Sequence, residues 1–326
     1  MKMRLTMAHK TLCAALLACT LPAAWAWTDK PVRVIVPAPA GGVMDQVARI
    51  LGEQLSKDIG QPVIIDNKPG AAGVIGEQAL VAAPADGNTI MVTASNVLTE
   101  IPHVLPASMA IVSKVRPVAV AARDGMLLIG APNLPAKNVK ELVAYVKANP
   151  GKVSFASYSA GTSSHYAGMI LNQKAGLDMQ HVAFAGIPPA LTQVMGDQIP
   201  VMFSSIGATK QFVVGGKVQA YAVLTKARSS QLPQVPTIAE QGYPDMDFSN
   251  WVGVITAVGV SDAVVNKIND AVNKAANNPA VRDRLVAAGF EVSPRDLEAD
   301  ELVKSVKAEF DRNAVIVKTF NIQLNQ

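Results

Sequence analysis

The chain has 326 residues, of which 50% are hydrophobic and 17% are charged, and its formal net charge is +4. Three of its 29 Lys and Arg residues, but no Asp or Glu, lie in the first 26 positions, which leaves 26 basic and 25 acidic side chains beyond them. A mature chain with a net charge of only +1 and no basic run is not typical of nucleic-acid binding. Both cysteines, Cys13 and Cys19, also precede residue 27. We therefore expect no disulfide, no thiolate chemistry, no metal and no cofactor.

Residues 1–26 have the features of a secretory signal peptide. Basic residues precede an apolar run from 12 to 21, and Ala24-Trp25-Ala26 fits a small-residue cleavage site. We predict a mature chain that begins at Trp27 and is periplasmic. Lipid attachment at Cys19 is the alternative, but it would leave an apolar remnant, residues 21–27, without a role.

Strand-like and helix-like patterns alternate along the remaining 300 or so residues, a length typical of two lobes. This alternation predicts an α/β fold in which each lobe is a mainly parallel sheet flanked by helices. The predicted strands are 32–36, 63–66, 89–93, 118–122, 126–129, 153–156, 201–203 and 220–224. The predicted helices are 43–55, 74–83, 139–148, 164–174, 189–195, 262–276, 279–288 and 297–310.

Two segments are predicted to cross between the lobes. Arg123-Asp124-Gly125 separates two apolar runs, and residues 226–236 (KARSSQLPQVP) are polar and proline-rich after a strand. The predicted lobe one is therefore residues 27–123 plus 226–326, and lobe two is residues 124–225.

Two glycine loops join a strand to a helix. In the first, Gly41 and Gly42 follow an apolar β-branched strand, and Asp45 is placed to cap the next helix. In the second, residues 158–164 (YSAGTSS) supply hydroxyl and N–H donors at a helix start. Helix N-termini favour anions, so two such loops suggest that two lobes grip one anionic ligand.

Further short motifs, in their order and spacing, resemble the Bug (TctC-like) solute receptors of tripartite tricarboxylate transporters over almost the whole mature length. They are VIVP at 34–37 with the first glycine loop, GQPV at 60–63, NKPGA at 67–71, APADG at 83–87, PGK at 150–152, GTSSH at 161–165, PAL at 189–191, GGK at 215–217 and LPQVPT at 232–237.

The resemblance implies a type II periplasmic-binding-protein fold, a Venus flytrap whose two lobes close on a small carboxylate. It also implies a monomeric receptor that delivers this ligand to a membrane permease. The implied ligand-binding residues are Pro39, Ala40, Gly41 and Gly42 in lobe one, Ser157, Tyr158, Gly161, Thr162 and Ser163 in lobe two, and Asn96, Phe184, Ala185, Gly186 and Ser204 along the remaining wall.

The chain departs from the family pattern at the wall of the predicted site. Pro200 and Ser204 stand where the family usually has Asp, so we expect a mono- or dicarboxylate without an essential amino group. Tyr158 replaces a small residue and, with Phe184, could contact an aromatic acid. Lys210 could meet a second carboxylate.

Two other functions are alternatives to transport. A subunit that presents bound ligand to a membrane signalling protein would use the same lobe closure, and the sequence does not separate it from transport. A secreted hydrolase is suggested by His165 beside Ser163 and Ser164, but neighbours in sequence rarely form a nucleophile–base pair and no nucleophile elbow is present. We therefore expect no enzyme.

Overall fold

The computed structural model of the chain describes residues 27–292 and 299–323. The predicted signal peptide, its cleavage site and Cys19 lie outside these residues. The strands are β1 (Val32–Val36), β2 (Val63–Asn67), β3 (Thr89–Ala94), β4 (Val115–Gly130), β5 (Ser154–Ser157), β6 (Gln180–Ala183), β7 (Val201–Ser205), β8 (Gln219–Val223) and β9 (Ser249–Ala257).

Helices follow most of the strands, as the alternating pattern predicts. They are α1 (Val43–Ile59), α2 (Val74–Val81), α3 (Ser95–Thr99), α4 (Pro106–Val112), α5 (Val139–Ala148), α6 (Ser163–Ala175), α7 (Ile187–Met195), α8 (Ile206–Val214), α9 (Asp262–Asn277), α10 (Pro279–Ala287) and α11 (Ala299–Thr319). Short 3-10 turns occupy Ala71–Gly73 and Ile101–His103.

Helix α1 shows how local sequence sets these elements. Its buried residues Val47, Leu51, Leu55 and Ile59 recur every four positions, so one face packs on the sheet. The helix ends at Gly60, whose left-handed backbone (φ 68°) is a conformation that glycine adopts without steric cost.

Within the described residues, nine strands form one sheet in the order β2-β1-β3-β9-β4-β7-β5-β6, and β8 pairs with β4 off this path. Strand β1 is parallel to β2 and β3, and β5 is parallel to β6 and β7. The other four pairings are antiparallel, and each involves β4 or β9. Parallel pairing is thus confined to one trio of strands in each half of the molecule.

Strand β4 links the two halves. From Val115 to Gly125 it pairs with β9, and from Met126 to Gly130 it pairs with β7 and β8. The Arg123-Asp124-Gly125 segment predicted as a crossing therefore lies inside one continuous strand at the change of partner. We call the half around β1–β3 lobe one and the half around β5–β8 lobe two.

Each lobe has its own apolar core. In lobe one, Val34, Val92 and Val254 belong to a cluster that adjoins a second one around Trp251. In lobe two, Phe155 and Phe203 lie in a single larger cluster. Burial of such side chains stabilises each lobe by roughly 1.5–3 kcal/mol per residue.

The segment after β8 packs differently from the prediction. Its buried Leu232, Val235, Ile238 and Phe248 belong to the lobe-two cluster, whereas residues 226–248 are predicted to lie in lobe one. The chain returns through β9, because this strand carries the antiparallel ladder to β3 and β4. The predicted lobe limits stay a prediction, and this packing favours a return crossing at Ser249 rather than at residue 226.

Helix α11 contacts both lobes. Leu302 and Val306 pack in lobe one, while Ile316, Val317 and Phe320, near the helix end, pack against the lobe-two core. No helix in the described part of the chain has the length and apolar character needed to cross a bilayer.

Candidate functional site

A cavity of about 660 Å³ lies where the two lobes face each other. Its size is in the range of small-molecule sites. It is lined by Ala38, Pro39, Ala40, Gly41, Gly42, Val43, Met44, Gln46, Ala94 and Asn96 from lobe one, by Tyr158, Ala185, Gly186, Ile187, Pro188, Pro189, Leu191, Thr192, Met195, Ser204, Ser205, Ala208, Gln211 and Phe212 from lobe two, and by Asp124, Gly125, Met126, Asn250 and Val252 of the crossing strands.

The first glycine loop forms one wall, and Asp45 holds its shape. Gly41 has φ +82°, a left-handed conformation that favours glycine, and its N–H donates to Asp45 Oδ2 at 2.8 Å. Asp45 also accepts bonds from Arg49 and Asn67. Burial alone would raise the pKa of the Asp45 carboxyl, but these bonds together lower it below its ordinary value.

The start of α1 presents donors to the cavity. Its N-cap, Gly42, has no side chain that could accept a hydrogen bond from the first N–H groups. The helical hydrogen bonds begin with the Gln46 N–H, which donates to the Gly42 carbonyl at 3.0 Å. The N–H groups of Val43 and Met44 therefore have no acceptor within the helix. Both residues line the cavity, so the positive end of the α1 dipole faces it.

Hydrogen-bond donors of the second loop bond to acceptors within the protein. Gly161 N–H donates to His165 Nδ1 at 3.2 Å, and Tyr158 N–H donates to Ser164 Oγ at 3.2 Å. Thr162 Oγ1 donates to the carbonyl of Ser159 at 2.7 Å. These bonds fix the conformation of the loop, which contributes Tyr158 to the cavity wall.

A carboxylate of the protein itself occupies the helix start that follows this loop. Ser163 Oγ lies 2.6 and 2.8 Å from the two carboxylate oxygens of Glu100, which comes from lobe one. Burial raises the pKa of Glu100 to about 7, although bonds from the Ser163 side chain and backbone favour its ionised form. This contact joins the lobes beside the cavity.

Two histidines stack behind the second loop. The rings of His165 and His181 are 3.9 Å apart and nearly parallel, and His181 Nε2 lies 2.7 Å from Ser157 Oγ. Because burial and the neighbouring His181 lower the pKa of His165 to about 3, its ring is neutral at ordinary pH and can accept the Gly161 N–H. His165 thus fixes the loop rather than activating a serine.

The structure brings most, but not all, of the predicted ligand-binding residues to the cavity. Those in its lining are Pro39, Ala40, Gly41, Gly42, Asn96, Tyr158, Ala185, Gly186 and Ser204. Those outside the lining are Ser157, Gly161, Thr162, Ser163 and Phe184. Contact with a ligand stays a prediction for all of them. Lys210, considered for a second carboxylate, donates instead to Gln231 and is not part of the lining.

Sequence reasoning missed several lining residues. The sequence indicates Asp124 only as part of a crossing, and Asn250 lies on β9, which is not among the predicted strands. The cavity keeps an acidic side chain despite Pro200 and Ser204, because Asp124 brings a carboxyl group to it from β4. Leu191 and Met195 belong to α7, which the sequence predicts as a helix from residue 189. The apolar face of this helix was a signal by which both lining residues could have been found.

Comparison with known proteins places the chain in a family. Residues 47–322 match the model of the tripartite tricarboxylate transporter family receptor, TctC. The chain belongs to this receptor family. The resemblance to Bug receptors is thereby confirmed.

Solved structures agree with this assignment. The periplasmic binding protein BugD is 30% identical, with a TM-score of 0.83 over 91% of this chain and 99% of that chain. MatC from Rhodopseudomonas palustris, solved with bound malate, is 29% identical, with a TM-score of 0.81 over 89% and 99%. Another R. palustris protein, solved with adipate, is 26% identical, with a TM-score of 0.85 over 91% and 99%. The expected periplasmic-binding-protein fold is confirmed.

Proposed function

We propose that this chain is a periplasmic receptor that captures a small organic acid between its two lobes and delivers it to a tripartite tricarboxylate-type membrane permease. The cavity beside the uncapped start of α1 carries this proposal. The family supports the receptor role, and the malate and adipate in two related structures support a carboxylate ligand.

The ligand carboxylate binds at the first glycine loop. Its acceptor oxygens meet the N–H groups of Val43 and Met44 and the positive end of the α1 dipole. A carboxylate accepting hydrogen bonds from backbone N–H groups needs no cationic side chain, which agrees with a lining that holds no Lys or Arg among the described residues.

The body of the ligand lies against apolar side chains of lobe two. Ile187, Leu191, Met195 and Phe212 line the cavity from helices α7 and α8. These surfaces suit a hydrocarbon chain or a ring, and Tyr158 adds a further aromatic face. Aromatic monocarboxylates are therefore included in the proposed ligand class.

The same geometry argues against a hydrolase. Ser163 Oγ faces the carboxylate of Glu100, and His165 binds the Gly161 N–H, so these two residues do not form a nucleophile–base pair. Ser157 Oγ lies 2.7 Å from His181 Nε2, but Ser157 is fully buried and is not part of the cavity lining. We therefore propose a non-enzymatic receptor that acts as a monomer, without a cofactor. Its export depends on the signal peptide predicted for residues 1–26.

A thermal-shift panel tests ligand binding, because a ligand that binds only the folded state raises Tm. The panel contains malate, succinate, adipate, aspartate, 5-aminopentanoate and benzoate, with the corresponding amides as controls that lack the carboxylate. We expect at least one acid, but not its amide, to raise Tm. If no acid does so, the carboxylate proposal is wrong.

Delivery to a permease is tested separately in cells. A strain lacking this chain should lose uptake of the labelled acid that gave the largest shift, and a plasmid copy should restore it. Unchanged uptake, together with a lost transcriptional response to that acid, would favour the signalling alternative.

A further inference from the structure

Among the described residues that line the cavity, Asp124 is the one that carries a carboxyl group. Asp124 is only 8% exposed, and no Lys or Arg belongs to the lining. An acid that binds here therefore brings a second negative charge into a partly dehydrated space. Two negative charges inside one cavity repel each other unless a positively charged group or a hydrogen-bond donor compensates them.

The position of Asp124 is set by the sheet. Asp124 on β4 is directly opposite Asn250 on β9, so both side chains lie on the same face at the crossing between the lobes. Gly207 N–H, in the first turn of α8, donates to Asp124 Oδ1 at 3.3 Å. Burial raises the pKa of Asp124 to about 6, while bonds from Ser205 and the α8 backbone favour its ionised form.

Two further polar atoms of the lining lack a partner. Asn96 Oδ1 and Ser204 Oγ are both buried, and neither has a hydrogen-bond partner among the residues that the structure describes. Asn96 follows Ser95, whose hydroxyl donates to Asn250 Oδ1 at 3.4 Å, and Ser204 precedes Ser205, which bonds to Asp124. Unpartnered buried polar atoms are costly, and native sites keep them where a ligand completes the bonding.

Asp124, Asn96 and Ser204 thus bring hydrogen-bond acceptors to the lining of one cavity. The carboxylate of Asp124 and the amide oxygen of Asn96 only accept hydrogen bonds, whereas the Ser204 hydroxyl can donate or accept one. A hydrogen-bond donor on the ligand would satisfy the two oxygens that only accept, and a second carboxylate would not.

We infer that Asp124 determines specificity, by selecting organic acids that carry a hydrogen-bond donor, an ammonium or hydroxyl group, in addition to their carboxylate. This inference rests on the proposed function. It reverses the expectation from Pro200 and Ser204 that an amino group is not required. An ammonium group also compensates the charge of Asp124, so it is favoured over a hydroxyl group.

Two matched series of acids test the inference by calorimetry at pH 7.5. Succinate, malate and aspartate differ only at C2, and pentanoate, 5-hydroxypentanoate and 5-aminopentanoate differ only at the far end. In at least one series we expect affinity to rise from the unsubstituted acid to the hydroxy acid to the amino acid, by at least tenfold overall. If the unsubstituted acid binds as tightly as its derivatives in both series, Asp124 does not select a donor.

The variant Asp124→Asn assigns the preference to this residue. Its amide oxygen can still accept the Gly207 N–H, so the start of α8 stays satisfied. We expect the advantage of the amino acid to fall at least tenfold, while the unsubstituted acid binds as well as before or better. The control is Asp58→Asn, the same acid-to-amide change on α1 outside the cavity lining, where the amide oxygen can still accept the bond from Gln54 and the ratios should stay unchanged.

The outcomes separate this inference from the proposed function. If acids bind but Asp124→Asn leaves their ratios unchanged, the inference is wrong and the receptor proposal stands. If no acid of either series or of the thermal-shift panel binds, both are wrong. A comparison of wild-type affinities needs no variant, so a poorly folding Asp124→Asn protein would not prevent the test.

Discussion

The hydroxyl group of Ser163 in lobe two bridges both carboxylate oxygens of Glu100 in lobe one, at 2.6 and 2.8 Å. Tyr166 reinforces the contact, since its hydroxyl donates to the carbonyl of Glu100 at 2.9 Å. The anion-binding helix start that the sequence predicts for the ligand is thus occupied by the protein's own side chain. The pair holds the lobes together beside the cavity, and the ligand carboxylate is left to the first loop.

Replacing Glu100 with Gln should stabilise the fold more at high pH than at low pH. The pKa of Glu100 is raised from 4.5 to about 7, so the folded state holds this proton more tightly than the unfolded state does. Ionisation of Glu100 therefore lowers the free energy of unfolding progressively as the pH rises from about 4.5 to 7. Above that range the loss stays constant. Glu309 and Arg312 are the charged neighbours that modify this pKa.

We expect the difference in unfolding free energy, Glu100→Gln minus wild type, to grow by up to ~3 kcal/mol between pH 4.5 and 8, because one pKa unit corresponds to about 1.4 kcal/mol. Urea denaturation at several pH values measures it. Glu53→Gln is the control, because the pKa of the exposed Glu53 is lowered by Arg284 and Lys57 and its removal should bring no such gain. A difference that does not depend on pH would contradict the account of Glu100.

Thr162→Val should lower stability and leave affinity nearly unchanged. The Thr162 hydroxyl donates to Ser159 and lies 2.9 Å from Ser164 Oγ, and the residue is not part of the cavity lining. Loss of these bonds should cost roughly 1–2 kcal/mol of unfolding free energy. Denaturation and calorimetry on the same sample check both effects. Weaker binding with unchanged stability would instead support the direct ligand contact that the sequence suggests.

Asp45→Ala should destabilise the protein and loosen the first loop. It leaves the Gly41 N–H without its acceptor and removes one of the two acceptors of the Asn67 amide, a loss of about 1–3 kcal/mol. Binding of organic acids should weaken because Gly41 no longer fixes the loop. Asp58→Ala is the matched control in the same helix, since Asp58 only accepts a bond from Gln54, and it should change stability by less than about 0.5 kcal/mol. Equal effects of the two changes would mean that Asp45 has no special role.

Aromatic acids should bind more tightly than saturated rings of similar size. Tyr158 and Phe212 line the cavity, and ring–ring contact adds about 0.5–1.5 kcal/mol beyond area burial. Competition between benzoate and cyclohexanecarboxylate measures this term, and Phe212→Leu should reduce it. Equal affinity of the two acids for the wild-type chain would remove the aromatic part of the proposal.

Local sequence predicted the strand and the helix that flank the first glycine loop. The β-branched run of β1, the paired glycines and the amphipathic α1 are local signals, and the structure has the strand at Val32–Val36 and the helix start at Val43 as predicted. Strand β9 was missed because Gly253 lies inside it. A side chain at Gly253 would meet the Ala119 carbonyl at 2.2 Å, so tertiary packing rather than strand propensity explains this residue.

The second half of the site depends on contacts that are distant in sequence. The sequence of the second loop shows that Thr162 and Ser163 can donate hydrogen bonds. It does not show that the Ser163 hydroxyl donates to Glu100, which is 63 residues away. Asp124 reaches the cavity because β4 passes between the lobes opposite Asn250. Such pairings follow from the register of the sheet, which a single sequence does not specify where strands are buried on both faces.

The central claim, that the ligand carboxylate binds the start of α1, is tested most directly by Val43→Pro. Proline is tolerated at the first helical position, and the extended Gly42 (ψ 171°) suits a residue before proline, so the variant removes one N–H group without breaking the helix. Val43→Ala is the matched control, which loses side-chain packing but keeps the N–H. Calorimetry with the acid that gave the largest thermal shift should show Val43→Pro binding at least about tenfold more weakly than Val43→Ala, since a hydrogen bond to a charged group contributes roughly 1.5–3 kcal/mol. Equal affinity of the two variants would show that the carboxylate binds elsewhere.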